Sequence, residues 1–426
     1  MQIEELYQIY KQYPSIQTDT RKLKKGDIYF ALKGENFNGN LFAIQALEAG
    51  AAYSVVDEKN SADSRIILVD DVLTTLQDLA KYHRNQFIIP FIAITGSNGK
   101  TTTKELIHAV LSSSFKTYTT EGNLNNHIGV PLTILKIKED AQIAVIEMGA
   151  NHLHEIAGYC EYTLPTHGVI TNTGKAHLEG FGSIEGVRKG KGELYDFLRS
   201  HNGTAFVMWD YDYLREMSKN IPKIITYGTK DADVTGTVLQ SEPFLSVQIK
   251  LKNGANETIH TQLVGDYNLP NVLVAVTIGR HFGISDETMK KAIEAYTPSN
   301  SRSQLIEKGS NKIILDAYNA NPSSMKLAIE NFSRIQANKK VLLLGAMAEL
   351  GTESLAEHEA IISLLQENNW EAVALVGGDF KKLKHPFLQF ENSLAAKEWL
   401  QQQHFENTHF LIKGSRSMQM EKVVTE

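Results

Sequence analysis

The stretch Phe91 to Glu105, FIAITGSNGKTTTKE, constrains this chain more than any other. Its first four residues, Phe91 to Ile94, form a short apolar run that suits a strand buried in a parallel sheet. Gly96, Ser97, Asn98 and Gly99 then make a turn. Lys100, Thr101 and Thr102 open a segment whose Leu106, Ile107, Val110 and Leu111 recur at helical spacing. Strand, glycine turn, Lys-Thr and helix together make a phosphate-holding arrangement. Backbone N–H groups and the helix N-terminus face the anion, the lysine reaches the terminal phosphates, and the threonine hydroxyl can hold magnesium. The general signature G-x-x-x-x-G-K-[ST] asks for glycine at position 94, where Ile94 stands, so this loop is a compact variant.

A chain of 426 residues has room for about three domains of roughly 150 residues each. Its 42% hydrophobic and 22% charged residues are those of an ordinary globular protein with a sizeable core. The net charge of -6 argues against a protein that coats nucleic acid. The single cysteine, Cys160, has no internal partner, which suits a reducing compartment. The opening MQIEELYQIY does not read as a secretory signal, and no apolar run approaches the roughly 20 residues of a membrane span. A cytoplasmic monomer acting on soluble substrates, with no membrane or nucleic-acid partner, is the expectation.

Three α/β units are expected, over residues 1 to about 86, about 87 to 298 and about 299 to 426. In the second, Ala141 to Gly149 is an apolar strand carrying Glu147 near its end. A carboxylate at a strand's C-terminal end beside a phosphate loop is where a magnesium ligand belongs. Asn125 and Asn126, in a Gly- and Asn-rich loop, offer paired amides to a polar ligand. Alternating Leu245, Val247, Ile249 and Leu251, then Asn253-Gly254, predict an antiparallel hairpin inserted after the parallel strands. In the third unit strands at Lys312, Val341, Ala372 and Phe410 alternate with helices near Pro322, Glu353 and Ser393, which predicts a doubly wound parallel sheet. It has no G-x-G-x-x-G after its first strand, so dinucleotide binding is not indicated.

The compact T-G-S-N-G-K-T loop resembles the ATP loop of the Mur ligases, which join amino acids or peptides to a growing carboxylate chain with ATP. The resemblance spans nearly the whole chain. Thr18-Asp19-Thr20-Arg21 is similar to the family's entry domain, which holds a UDP-sugar; Thr20 stands for the usual Ser, and Gly39-Asn40 for Gly-His. Arg21 has the fork to grip a diphosphate. GNLNN at 122–126 resembles the substrate loop, and Asn172 to Glu179 contains the family's His at His177. Lys191 aligns with a lysine that several members carry as a carbamate, with Lys189 as the alternative. G-x-H-N-x-x-N becomes Gly265-Asp266-Tyr267-Asn268, with Asn271 kept. Arg302 stands where the family places an arginine on the ATP phosphates. Asp316-Ala317-Tyr318-Asn319-Ala320-Asn321-Pro322 resembles the D-S-Y-N-A-N-P string of the member that adds D-alanyl-D-alanine, although the preceding Asp is Leu315 and the Ser is Ala317. Gly345 to Gly351 and Lys413-Gly414-Ser415-Arg416-Ser417 match the same member.

The resemblance implies a Mur ligase architecture: a small α/β N-terminal unit, a central phosphate-loop ATPase unit with a parallel sheet and antiparallel insert, and a Rossmann-like C-terminal unit. It implies ATP and magnesium as cofactors, with Gly96 to Thr102, Asn268, Arg302, Asp316 and Tyr318 on ATP. Thr101, Glu147, His177 and carbamylated Lys191 would hold metal, with Lys100, Glu147, His177 and Lys191 as the catalytic set. Thr20, Arg21, Asn125, Asn126, Asn319, Asn321, Lys413 and Ser415 would meet the substrates, UDP-N-acetylmuramoyl-tripeptide and D-alanyl-D-alanine. Another Mur ligase, a folylpolyglutamate synthetase-like ligase and an ATP-driven switch are the competing readings; a switch would need neither His177 nor Lys191.

Overall fold

A computed structural model describes every residue except 59, 60, 252, 300 and 426. Near the N-terminus, Ile16–Gln17, Ile28–Phe30, Tyr53–Val56 and Ile66–Leu68 form a four-stranded parallel sheet. It packs against the helices Ile3–Gln12 and Val72–Arg84, whose apolar stripes bury Leu6, Tyr10, Leu76 and Leu79.

The central sheet has nine strands. Phe91–Thr95 sits within it, between His167–Ile170 and Ile143–Glu147, and pairs in parallel with both. All five of its residues are buried, as an uninterrupted apolar run requires. The chain leaves this strand toward one edge and returns later on its other side. That makes a switch point, where the loops at the strands' C-terminal ends splay apart and leave a crevice. The expected hairpin forms: Val234–Gln240, Ser246–Lys250 and Asn256–His260 run antiparallel. It is not a separate body, because Val234–Gln240 also pairs in parallel with Lys223–Gly228 and so extends the same sheet. The strands Thr117–Thr119, Thr204–Met208 and Lys223–Gly228 complete this sheet.

The C-terminal sheet has six strands. Five are parallel, as the alternation predicts, but Gln304–Lys308 runs antiparallel to Asn311–Asp316 at one edge. Lys308 and Asn311 pair across a tight turn at Gly309 (φ +61°), too short for a crossover, so the strand must reverse. Helices Pro322–Arg334, Ser354–Gln366 and Ser393–Gln402 cover the faces. Among the described residues no helix is long and apolar enough to cross a membrane.

Candidate active site

The phosphate loop is held open by its neighbours rather than by itself. Gly96 adopts φ +142° and Gly99 φ +80°, values that L side chains rarely take. Asn172 braces the turn: its carbonyl accepts from Ser97 N at 2.9 Å and its Oδ1 from Asn98 N at 3.1 Å. Thr171 Oγ1 donates to Asn98 O at 2.6 Å. A Cβ on Gly96 would lie 2.0 Å from Thr171 Oγ1 and 3.1 Å from Asn172 O. Gly96→Ala is therefore expected to cost about 1–3 kcal/mol through overpacking and to abolish the rise in melting temperature that ATP gives the parent. Thermal melts with and without ATP check both.

Lys100 opens the helix Lys100–Ser112 and its Nζ donates to Gly96 O at 2.7 Å. Burial pushes its pKa below the ordinary lysine value, Glu147 opposes that, and the charge of Arg302 adds to it. Glu147, at the end of its strand, is 1% exposed. Its Oε1 accepts from Thr101 Oγ1 at 3.1 Å and Asn125 Nδ2 at 2.8 Å, while its buried Oε2 has no hydrogen-bond partner. An unpartnered carboxylate oxygen facing a phosphate loop is costly unless it serves a ligand. One carboxylate and one hydroxyl beside a polyphosphate is the oxygen set that magnesium takes. These residues fit the ion.

The remainder of the expected metal set is engaged elsewhere. Among the described residues no group of three or more His, Cys, Asp or Glu converges on a point. His177, with φ +51°, brings Nδ1 to 2.5 Å from Glu349 Oε2. Lys191 is not at a solvated helix start. It lies inside the helix Ile184–Ser200, 1% exposed, with Nζ donating to Ala150 O at 2.7 Å and standing over the Phe181 ring. Burial, and then the charge of Lys100, pushes its pKa well below the ordinary value. Lys189 is exposed, which leaves Lys191 as the buried lysine of the pair.

A cavity of about 780 Å³ opens at this switch point and takes lining from the central and C-terminal sheets. Gly99, Lys100, Glu147 and Asn125 line one side; Arg302, Asp316 and Tyr318 line the other. Ser97, Asn98, Thr101, Thr102 and His177 also reach it, as do Asn126, Asn268, Asn319, Asn321 and Lys413. Several of these already have internal partners. Asn126 Oδ1 accepts from Ile128 N and Gly129 N, just ahead of the helix Gly129–Ile134. Asn268 Nδ2 donates to Val264 O and its Oδ1 accepts from Asn271 Nδ2. Lys413 Nζ donates to Asp316 Oδ2 at 2.5 Å; the two are register partners on adjacent parallel strands. Asn319 O takes a second bond from Lys413, and the Arg302 guanidinium stacks 3.7 Å over the Tyr318 ring.

Five expected residues do not line the cavity: Gly96, which is hemmed in by Thr171, Lys191, which is held on Ala150 O, and Ser415, Thr20 and Arg21. Ser415 is 1% exposed and its hydroxyl donates to Ala346 O. Thr20 and Arg21 form a helical turn in the N-terminal unit. The Arg21 fork closes on Asp19, with Nε and Nη2 each at 2.8 Å from a carboxylate oxygen, instead of standing free for a diphosphate. Two contributors were not visible in sequence: Glu349, inside a recognised string but with no sign that it faces His177, and Tyr267, which registered only as a departure from a pattern.

The C-terminal sheet is docked on the phosphate loop. Asn321 caps its helix and Nδ2 donates to Asn98 Oδ1 at 2.7 Å. Ser323 Oγ accepts from Lys175 N at 2.9 Å, and Lys175 Nζ lies 2.5 Å from Glu357.

The Mur ligase middle domain matches residues 94–279, the Mur ligase glutamate ligase domain residues 301–416, and the Mur ligase family catalytic domain residues 12–84. The UDP-N-acetylmuramoyl-tripeptide–D-alanyl-D-alanine ligase of Bacillus subtilis is 36% identical, with 96% of this chain and 92% of that protein covered. The chain is a Mur ligase. The enzyme of the same name from Escherichia coli is 33% identical to this Mur ligase over 96% of the chain and 92% of its own length. The MurF ligase of Thermotoga maritima, solved in complex with ADP, superposes with a TM-score of 0.87 at 27% identity and covers 96% of both chains. The cavity takes lining residues from both the middle-domain match and the C-terminal match.

Proposed function

We propose that this Mur ligase adds D-alanyl-D-alanine to UDP-N-acetylmuramoyl-tripeptide, with ATP cleaved to ADP and phosphate, in cytoplasmic synthesis of peptidoglycan precursors. The observation that carries this reading is the single cavity in which the phosphate loop and Glu147 face Arg302, Asp316 and the Asn319–Asn321 string. The near full-length likeness to relatives of that name supports it. The tripeptide carboxylate oxygen attacks the γ-phosphorus and the β–γ bridging bond breaks, leaving ADP and an acyl phosphate. The dipeptide amine then attacks the carbonyl carbon, phosphate departs, and the nitrogen loses its proton. Such transfer depends on positioning and charge neutralisation more than on covalent help.

Magnesium held by Thr101 and Glu147 would supply positive charge between two anions that otherwise repel. Asn172 takes the Ser97 and Asn98 N–H groups, so the phosphates would meet the N-terminus of the helix Lys100–Ser112, with the Lys100 side chain neutralising them. Arg302, fixed over Tyr318, presents its guanidinium from the opposite wall. Burial and the nearby Lys100 charge disfavour the ammonium form of Lys191; once deprotonated, its amine would add to carbon dioxide and release a proton to give an anionic carbamate, an oxygen ligand that suits a hard cation. His177 would then join it, with Glu349 holding the ring by its other side. Release of ADP should require the UDP-tripeptide and D-alanyl-D-alanine together, with a product of the combined mass less water. ATP hydrolysis indifferent to both would favour the switch instead.

A further inference from the structure

The segment that carries Arg302 is strained. Ser301 has φ +55° and Ser303 φ +47°, so two non-glycine residues flank the arginine in left-handed backbone. Each such residue costs on the order of 1 kcal/mol or more and persists only where the surroundings hold it. The restraints can be traced. Ser301 O accepts from Tyr318 N at 3.3 Å. Ser303 N donates to Asp316 Oδ1 at 3.0 Å, and that carboxylate's other oxygen is held by Lys413. These come from the C-terminal sheet itself.

One restraint comes from across the junction. Tyr267 Oη is hydrogen-bonded to Ser303 Oγ at 3.1 Å, and Ser303 is 8% exposed. Beside it Asp266 pairs with Arg334 of the C-terminal unit at 3.0 Å. Burial and the neighbouring Asp316 charge keep the phenol protonated, so it retains a hydrogen to share with Ser303. Tyr267 stands where the family pattern has histidine, whose shorter ring carries no hydroxyl at that reach.

We propose that Tyr267 is a positioning residue for Arg302: by gripping Ser303 it locks the strained turn to the central unit and aims the guanidinium into the nucleotide cavity. This rests on the reading of Arg302 as an ATP contact. Loss of the hydroxyl leaves both cavity walls intact but frees the turn to relax, so the effect belongs to ATP and not to the peptide substrates.

The test is a double-mutant cycle of Tyr267→Phe and Arg302→Ala, read by calorimetric affinity for a non-hydrolysable ATP analogue and by the KM of each substrate. Tyr267→Phe should weaken the analogue roughly three- to tenfold, the value of one hydrogen bond, and leave the KM for UDP-tripeptide and dipeptide unchanged. In the Arg302→Ala background it should add nothing, since coupled residues are not additive. Ser303→Ala should reproduce Tyr267→Phe, and it carries the test if the tyrosine variant fails to fold. Unchanged analogue affinity in Tyr267→Phe, an undiminished effect in the Arg302→Ala background, or an Arg302→Ala variant that binds the analogue like the parent would each overturn the proposal. A parent that shows this coupling yet forms no amide bond would remove the ligase reading and leave this one standing.

Discussion

Glu147→Gln is expected to lower kcat by about 10²- to 10³-fold, the usual loss when one preorganised charged group is removed from a reacting centre. The amide oxygen can keep both bonds that Oε1 now accepts, from Thr101 and Asn125. What changes is Oε2, the buried oxygen without a partner, which becomes an NH₂ group that cannot ligate a cation. The fold should therefore survive, with a melting temperature within a few degrees of the parent. The KM for magnesium should rise, and excess magnesium should recover part of the rate. Steady-state kinetics across a magnesium series checks this. A variant with parental kcat at every magnesium concentration would show that Oε2 faces no cation.

Lys191→Ala should be nearly as damaging, by about 10²-fold or more, if the side chain serves as an anionic ligand. Its burial makes the outcome specific. An ammonium in that place would be buried, 5.0 Å over the Phe181 ring with one bond to Ala150 O, repelled by Lys100 and only partly offset by the charges of Glu155 and Glu193. Neutral amine or carbamate is the form such a site tolerates. The truncation leaves a space into which a short carboxylate such as formate or acetate fits. Partial rescue by those anions in the alanine variant, and none in the parent, is the expected signature. Intact-mass measurement of the parent under carbon dioxide should show one added carbon dioxide, absent from the variant. Full activity in Lys191→Ala would eliminate the carbamate, and loss without rescue would leave it without support.

Much of the candidate site's local structure is legible in the sequence because its motifs are local. Four buried apolar residues, two glycines and Lys-Thr specify a strand, a turn with positive φ and a helix start within a dozen positions. Glu147 was legible for the same reason, as a carboxylate closing an apolar strand. Lys191 is singled out in the sequence only by resemblance, and its burial could not be read there. Its sequence neighbours Lys189 and Gly190 suggest a solvated helix, and only the helix's rotation shows one lysine buried and the other exposed. Arg21 points the other way: its charge suggested a phosphate grip, and the fold spends its fork on Asp19 two positions away.

By itself the sequence determined the alternation of strands and helices, the strand, glycine turn and helix start around Lys100, and the family, because hydrophobic period and motif spacing act over a few neighbouring residues. Only the tertiary structure decided which loops face one another. Asn98 meets Asn321 across 223 positions, His177 meets Glu349, and Tyr267 meets Ser303. Those pairings follow from how two separately patterned sheets dock. No local period records that, since each partner's own neighbourhood is satisfied whether or not the other is there.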